Sequence, residues 1–188
     1  MMEAIKSENY KRFKIEYWMD DYSDDPRNWD DLSTMVCFTR NYDLGNKHSF
    51  SSPEDLSEFL TDNEKNIVYL PIYIYDHGNI TIKSSPFSCQ WDSGKIGYIY
   101  AYKDKLLEAG FKDDDAMINY LESEIKTYDD YIQGNCYGYS IYNDDNEILD
   151  SCGGYLGAFS YVEKEAKNNA DYYDNKLPLQ LTFNFQGA

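Results

Sequence analysis

The side chains best suited to chemistry stand close together in the middle of the chain. Asp76 and His77 are adjacent, and Cys89, Trp91, Asp92 and Ser93 follow shortly after. A nucleophile, a base and an acid can be drawn from Cys89 or Ser93, His77 and Asp92. Asp76, His77 and Asp92 are also hard metal ligands, although their spacing matches no recognised ligand set. Each residue has a plainer role as well. Asp76-His77-Gly78-Asn79 and Asp92-Ser93-Gly94 are turn formers, and a tryptophan such as Trp91 packs more often than it stacks on a ligand. The only other histidine, His48, falls in a connecting loop. The expectation is therefore a protein that is not an enzyme and holds no metal or cofactor. Asp76, His77, Cys89, Trp91 and Asp92 form an alternative site, a small-molecule or nucleotide pocket.

Strong β-strands must position these residues. In Tyr69–Tyr75, Leu70, Ile72 and Ile74 alternate with tyrosines, the period of a strand. The Asp76–Asn79 turn and Ile80-Thr81-Ile82 complete a hairpin, and Ile96–Tyr102 is a third strand. Upstream, Phe13, Ile15, Tyr17 and Met19 alternate with polar residues, and Thr34–Arg40 reads as another strand. Ser51-Ser52-Pro53-Glu54-Asp55 spells a helix start that runs to about Asn63. Lys103–Ala109 reads as a short helix, and Asp113 opens a longer one. Along that helix Met117, Leu121, Ile125, Tyr128 and Ile132 share one face, with Asp115, Glu122 and Asp129 opposite and Asp130 beside them. Cys136–Tyr142 and Glu147–Cys152 form a second hairpin. A weak helix from Ala158 to Tyr172 and a last strand, Leu177–Phe185, finish the chain. The pattern predicts an α+β fold: a single domain over 1–188, with a mainly antiparallel sheet and three or four helices packed on it.

Composition narrows the function classes. Seventeen lysines and arginines face 34 aspartates and glutamates, a net charge of −17. Residues 16–31, 113–130 and 143–150 hold 18 of the acids and 2 of the bases, so 42 residues carry −16 and the remainder −1. Direct nucleic-acid binding needs clustered Lys and Arg, which this pattern opposes. Gly153-Gly154-Tyr155-Leu156-Gly157 lacks the lysine of a phosphate-binding loop. No apolar run reaches a membrane span and no secretory signal is visible, so a cytoplasmic location is expected. The four cysteines contain no CxxC pair and read as reduced thiols.

A family resemblance enters at residues 69–157. Tyr75-Asp76-His77, Phe87-Ser88-Cys89 and Trp91-Asp92-Ser93-Gly94 are followed by Glu124, Thr127-Tyr128-Asp129, Tyr131, Tyr137-Gly138-Tyr139 and Asp150-Ser151-Cys152. Together these resemble small acidic proteins encoded by phages and conjugative elements of low-GC Gram-positive bacteria, a functionally uncharacterised family. The resemblance implies a mobile-element origin. Residues 1–66 are not placed by it. The chain departs from the pattern at Gly153, where an aromatic is commoner, and in a shortened 143–147 turn.

Local acidity and this resemblance together suggest nucleic-acid mimicry. Seven acids from Asp113 to Asp130 on a helix rising ~1.5 Å per residue span roughly 26 Å. That is about one charge per ~4 Å, near the ~3.4 Å spacing of a single DNA strand. The expected function is an anti-defence protein, of anti-CRISPR or antirestriction type. Its partner would be a host CRISPR effector or restriction enzyme, whose nucleic-acid surface it occupies. The partner-binding residues would be Asp20, Asp21, Asp24, Asp25, Trp29, Asp30, Asp31, Asp113, Asp114, Asp115, Glu122, Asp129 and Asp130. Tyr22, Trp29, Tyr128 and Tyr131 would be aromatic anchors.

Overall fold

The structure, a computed structural model, describes residues 3–21, 24–89 and 91–184, with 177–184 described as backbone. In chain order the first elements are β1 (Ala4–Tyr10), β2 (Phe13–Met19), β3 (Ser33–Cys37), α1 (Pro53–Asp62), β4 (Ile67–His77) and β5 (Asn79–Lys83). They are followed by β6 (Ser93–Tyr102), α2 (Lys103–Glu108), α3 (Asp114–Ile132), β7 (Cys136–Tyr142), β8 (Ile148–Leu156) and α4 (Phe159–Asn184). The fold is α+β, and its strands form two antiparallel four-stranded sheets, β1-β2-β7-β8 and β3-β6-β4-β5. Contacts divide the chain into two compact units, residues 1–24 with 134–188, and residues 25–133. No helix among the described residues is long and apolar enough to cross a membrane.

In the first unit, the alternation read in Phe13–Met19 is the burial pattern of β2. Phe13, Ile15 and Tyr17 are buried against Val162, Ala166 and Ala170 of α4, where the small alanines let the helix approach the sheet. Trp18, on the opposite face, pairs in register with Gly138 of β7. A Cβ at Gly138 would lie 2.1 Å from the indole, and one at Gly153 would lie 2.8 Å from it. The indole thus lies across both glycines. The Trp18 ring therefore reaches from β2 across β7 to β8.

The second unit is built on the predicted hairpin. β4 pairs with β5 through the tight turn at Gly78 (φ 87°), and β6 pairs on the other side of β4. Period-two alternation gives the sheet two apolar faces. Met35, Ile72 and Ile99 pack with Met117, Leu121, Ile125 and Tyr128 of α3. Val36, Ile67 and Tyr100 pack with Leu56 and Leu60 of α1. The helix starts are those the sequence announces. Ser52 caps α1 by accepting from the Asp55 N–H at 3.2 Å, and Asp113 caps α3 by accepting from the Ala116 N–H at 2.8 Å.

Two stretches differ from the sequence expectation. Leu177–Phe185 is not a strand: α4 continues through it to Asn184, with no glycine between Gly157 and Asn184 to stop it, and Phe185 lies outside the described residues. β1 is an additional strand. Its sequence, AIKSENY, is mostly polar because it lies at a sheet edge. The turn to β2 places Lys11 at φ 55°, where glycine or asparagine would have signalled a hairpin.

Candidate partner-binding surface

The acidic segment after β2 is organised by Arg27. Pro26–Asn28 forms one 3-10 turn, and the Asp25 carboxylate caps it by accepting from the Arg27 N–H at 2.8 Å. The Arg27 side chain is only 2% exposed, and its guanidinium bridges Asp31, at 2.6 Å, and Glu124 of α3. It also donates to Ser33 Oγ at 3.4 Å and lies 5.8 Å from the centre of the Tyr128 ring. Asn46 joins the segment to β3, donating to the Arg27 carbonyl at 2.9 Å and accepting from the Met35 N–H at 2.7 Å. The Leu32 N–H donates to Tyr120 Oη on α3 at 3.1 Å. Two carboxylates sharing one cation keep a net negative charge in a half-buried place. Burial, reinforced by the nearby Glu124 charge, outweighs the attraction of Arg27 and pushes the Asp31 carboxyl up to about 6.

Several residues expected at the partner surface are internal. Asp31 belongs to the Arg27 cluster. Asp129 is 7% exposed; its Oδ1 accepts from the Ile82 N–H and from Thr81 Oγ1, both at 2.8 Å, and its Oδ2 accepts from Gln133 Nε2 at 2.7 Å. The expected acidic face of α3 fails there because β5 is a sheet edge, and its outward N–H takes the carboxylate. Asp130, also 7% exposed, is paired with Lys126. Tyr128 is buried, with burial pushing its hydroxyl up to about 12, and Tyr131 is half-buried and stacked on it. Neither is a free anchor. Tyr22 lies outside the described residues.

What remains exposed in the second unit is Trp29, at 48%, with Asp30, Asp113, Asp114, Asp115 and Glu122. Asp114 is paired with Lys103 at 2.9 Å, and Glu122 accepts from Ser84 Oγ at 3.1 Å. Asp25 is half-buried in its capping role. In the first unit Asp21 and Asp24 are exposed, and the half-buried Asp20 accepts from the Gly154 N–H at 2.8 Å.

The alternative site converges in part. β4 ends at His77 and β6 begins at Ser93, so the turn before β6 returns to the end of β4. His77 Nδ1 lies 3.3 Å from Asp92 Oδ2, and Cys89 Sγ lies 3.6 Å from the same oxygen. The Asp76 N–H donates to the Asp92 carbonyl at 2.8 Å, while its carboxylate accepts from Tyr42 Oη at 2.9 Å. The carboxylate therefore sits between thiol and imidazole, the reverse of a triad in which the imidazole activates the nucleophile. Trp91 is 95% exposed and walls nothing. Among the described residues no group of three or more His, Cys, Asp or Glu side chains is arranged to hold a metal. Arg27 is the functional-looking residue that sequence reasoning missed. Its isolation as one base among seven acids in residues 16–31 was the available signal. No family model, curated protein or solved structure matches the chain.

Proposed function

We propose that the protein is a non-enzymatic anti-defence factor of a phage or mobile element. It acts in the host cytoplasm by binding a basic, nucleic-acid-handling effector such as a CRISPR nuclease or restriction enzyme. The observation that carries this reading is Trp29, 48% exposed beside Asp30 in a segment pinned by Arg27 and Asn46. An aromatic held rigid among carboxylates loses little freedom on binding and suits a hot spot on a cationic groove. Asp30 supplies charge beside it, and Asp113, Asp115 and Glu122 are further exposed acids of the same unit. The mimicry is thus of an aromatic anchor with scattered exposed acids on the same unit rather than of a helix-long charge ladder.

The test combines Trp29→Ala with Asp30→Lys, Asp115→Lys and Glu122→Lys, none of which caps a helix or lines the core. Wild-type protein should capture a nucleic-acid-binding host protein and protect phage in a plaquing assay. The variant should lose both at an unchanged melting temperature. Full protection by the folded variant would eliminate this surface. The meeting of His77, Cys89 and Asp92 favours a second reading, capture of a small molecule or nucleotide at that turn, which the open position of Trp91 weighs against.

A further inference from the structure

The strongest feature outside these surfaces is a cleft of about 530 Å³ beside α1, at the β3–β6 side of the second unit. Its apolar walls are Phe50, Phe59, Tyr100 and Tyr102, its rim carries Lys47 and His48, and no carboxylate lines it.

The rings are inclined to one another. Phe50 and Phe59 meet at 5.4 Å and 55°, Phe59 and Tyr100 at 5.3 Å and 61°, and Tyr100 and Tyr102 at 6.2 Å and 82°. None of these pairs is stacked, so together they curve around the cleft instead of closing it. Phe50 and Phe59 are half-buried and Tyr102 is 37% exposed, leaving aromatic surface open to a ligand. Lys47 is exposed and takes part in no ion pair among the described residues, and Lys105 Nζ lies 5.8 Å from the Tyr102 ring. The volume lies within the ~300–1,000 Å³ range of small-ligand sites, in a hollow that is open along one side rather than enclosed. Aromatic walls take a planar ring, and an unpaired ammonium at the rim takes an anion. Carbohydrate sites bring carboxylates or amides to their aromatic platforms, and neither lines this cleft.

We infer that this cleft binds a free nucleoside monophosphate, its base against Phe50, Phe59 and Tyr102 and its phosphate at Lys47. A free nucleotide suits it better than the end of a strand. Further phosphates would run onto a unit whose remaining surface is acidic and repels a polyanion. The inference uses none of the residues of the Trp29 surface, so the two stand or fall separately.

The experiment is an NMR titration of the full chain with AMP, GMP, CMP and UMP, and with adenosine, inorganic phosphate and a short oligonucleotide as separate probes. At least one monophosphate should saturate, with shifts confined to Lys47–Phe50, Phe59, Tyr100 and Tyr102. Adenosine and phosphate should each bind more weakly than that monophosphate, and the oligonucleotide no better. Lys47→Glu, on an exposed loop, should weaken binding by about tenfold or more while leaving the melting temperature unchanged. Tyr102→Leu should weaken it several-fold. Absence of saturation at about 10 mM for all four nucleotides would overturn the inference. So would shifts centred on His77 and Trp91, tighter oligonucleotide binding, or indifference to Lys47→Glu.

Discussion

Arg27 carries the only positive charge between Asp20 and Asp31, and the fold takes it inside instead of leaving it to water. A buried guanidinium needs partners in a fixed fork, which Asp31 and Glu124 provide. The arrangement leaves more negative than positive charge in the cluster, and Asp31 answers by holding its proton more tightly. Its carboxyl is raised from 3.8 to about 6, so the folded state binds more protons than the unfolded state between those values. Stability from this group is therefore greatest below that window and falls as pH rises through it. The Asp31→Asn variant should lose this dependence and gain about 1–2 kcal/mol at pH 7. Glu8 and Glu16, whose carboxyls are lowered by partners, push the other way, so the comparison must be wild type against variant. Urea unfolding from pH 4 to 7 measures it, and parallel curves would refute the assignment. The sequence could show that Arg27 was outnumbered but not which acids it would gather. Glu124 is 97 residues away, and that pairing depends on where α3 docks.

At the scale of elements, the legible features were those with local physical causes. Ser52-Pro53 and Asp113 mark helix starts because a side-chain oxygen there satisfies a free N–H. The β2 and β4 alternations show because one face of each strand is buried. What was hidden lay at edges. β1 has little apolar surface to show, and the edge of β5 is what turns Asp129 inward. Asp129→Ala leaves a buried N–H and the Thr81 hydroxyl without their acceptor, and should cost about 2–4 kcal/mol in urea unfolding. If Asp129 were instead a partner contact, the midpoint would hold and only binding would fall. The Trp18 seat makes a second element-level claim. Gly138→Ala drives a Cβ into the indole and should cost about 1–3 kcal/mol. Most of that loss should vanish in a Trp18→Leu background, as a double-mutant cycle would reveal. Additive losses would mean that the glycine serves some other purpose.

Over the whole molecule, acidity is shared between the units, with a formal charge of −7 on residues 1–24 with 134–188 and −10 on residues 25–133. The acidic windows are real as composition, yet only part of each is surface. Asp31, Glu124, Asp129 and Asp130 work within the fold as counter-ions or as acceptors for backbone and side-chain donors. Sequence shows where carboxylates are concentrated; which of them face water depends on docking between segments distant in the chain. The candidate surface was legible to that extent: of the expected residues in the second unit, Trp29, Asp30, Asp113, Asp114, Asp115 and Glu122 stay exposed. The clasp of Asp129 on β5 has one more consequence. An edge strand recruits further strands wherever its N–H and C=O groups are left unpaired. A carboxylate seated on that rim takes the Ile82 N–H that an added strand would have to reach.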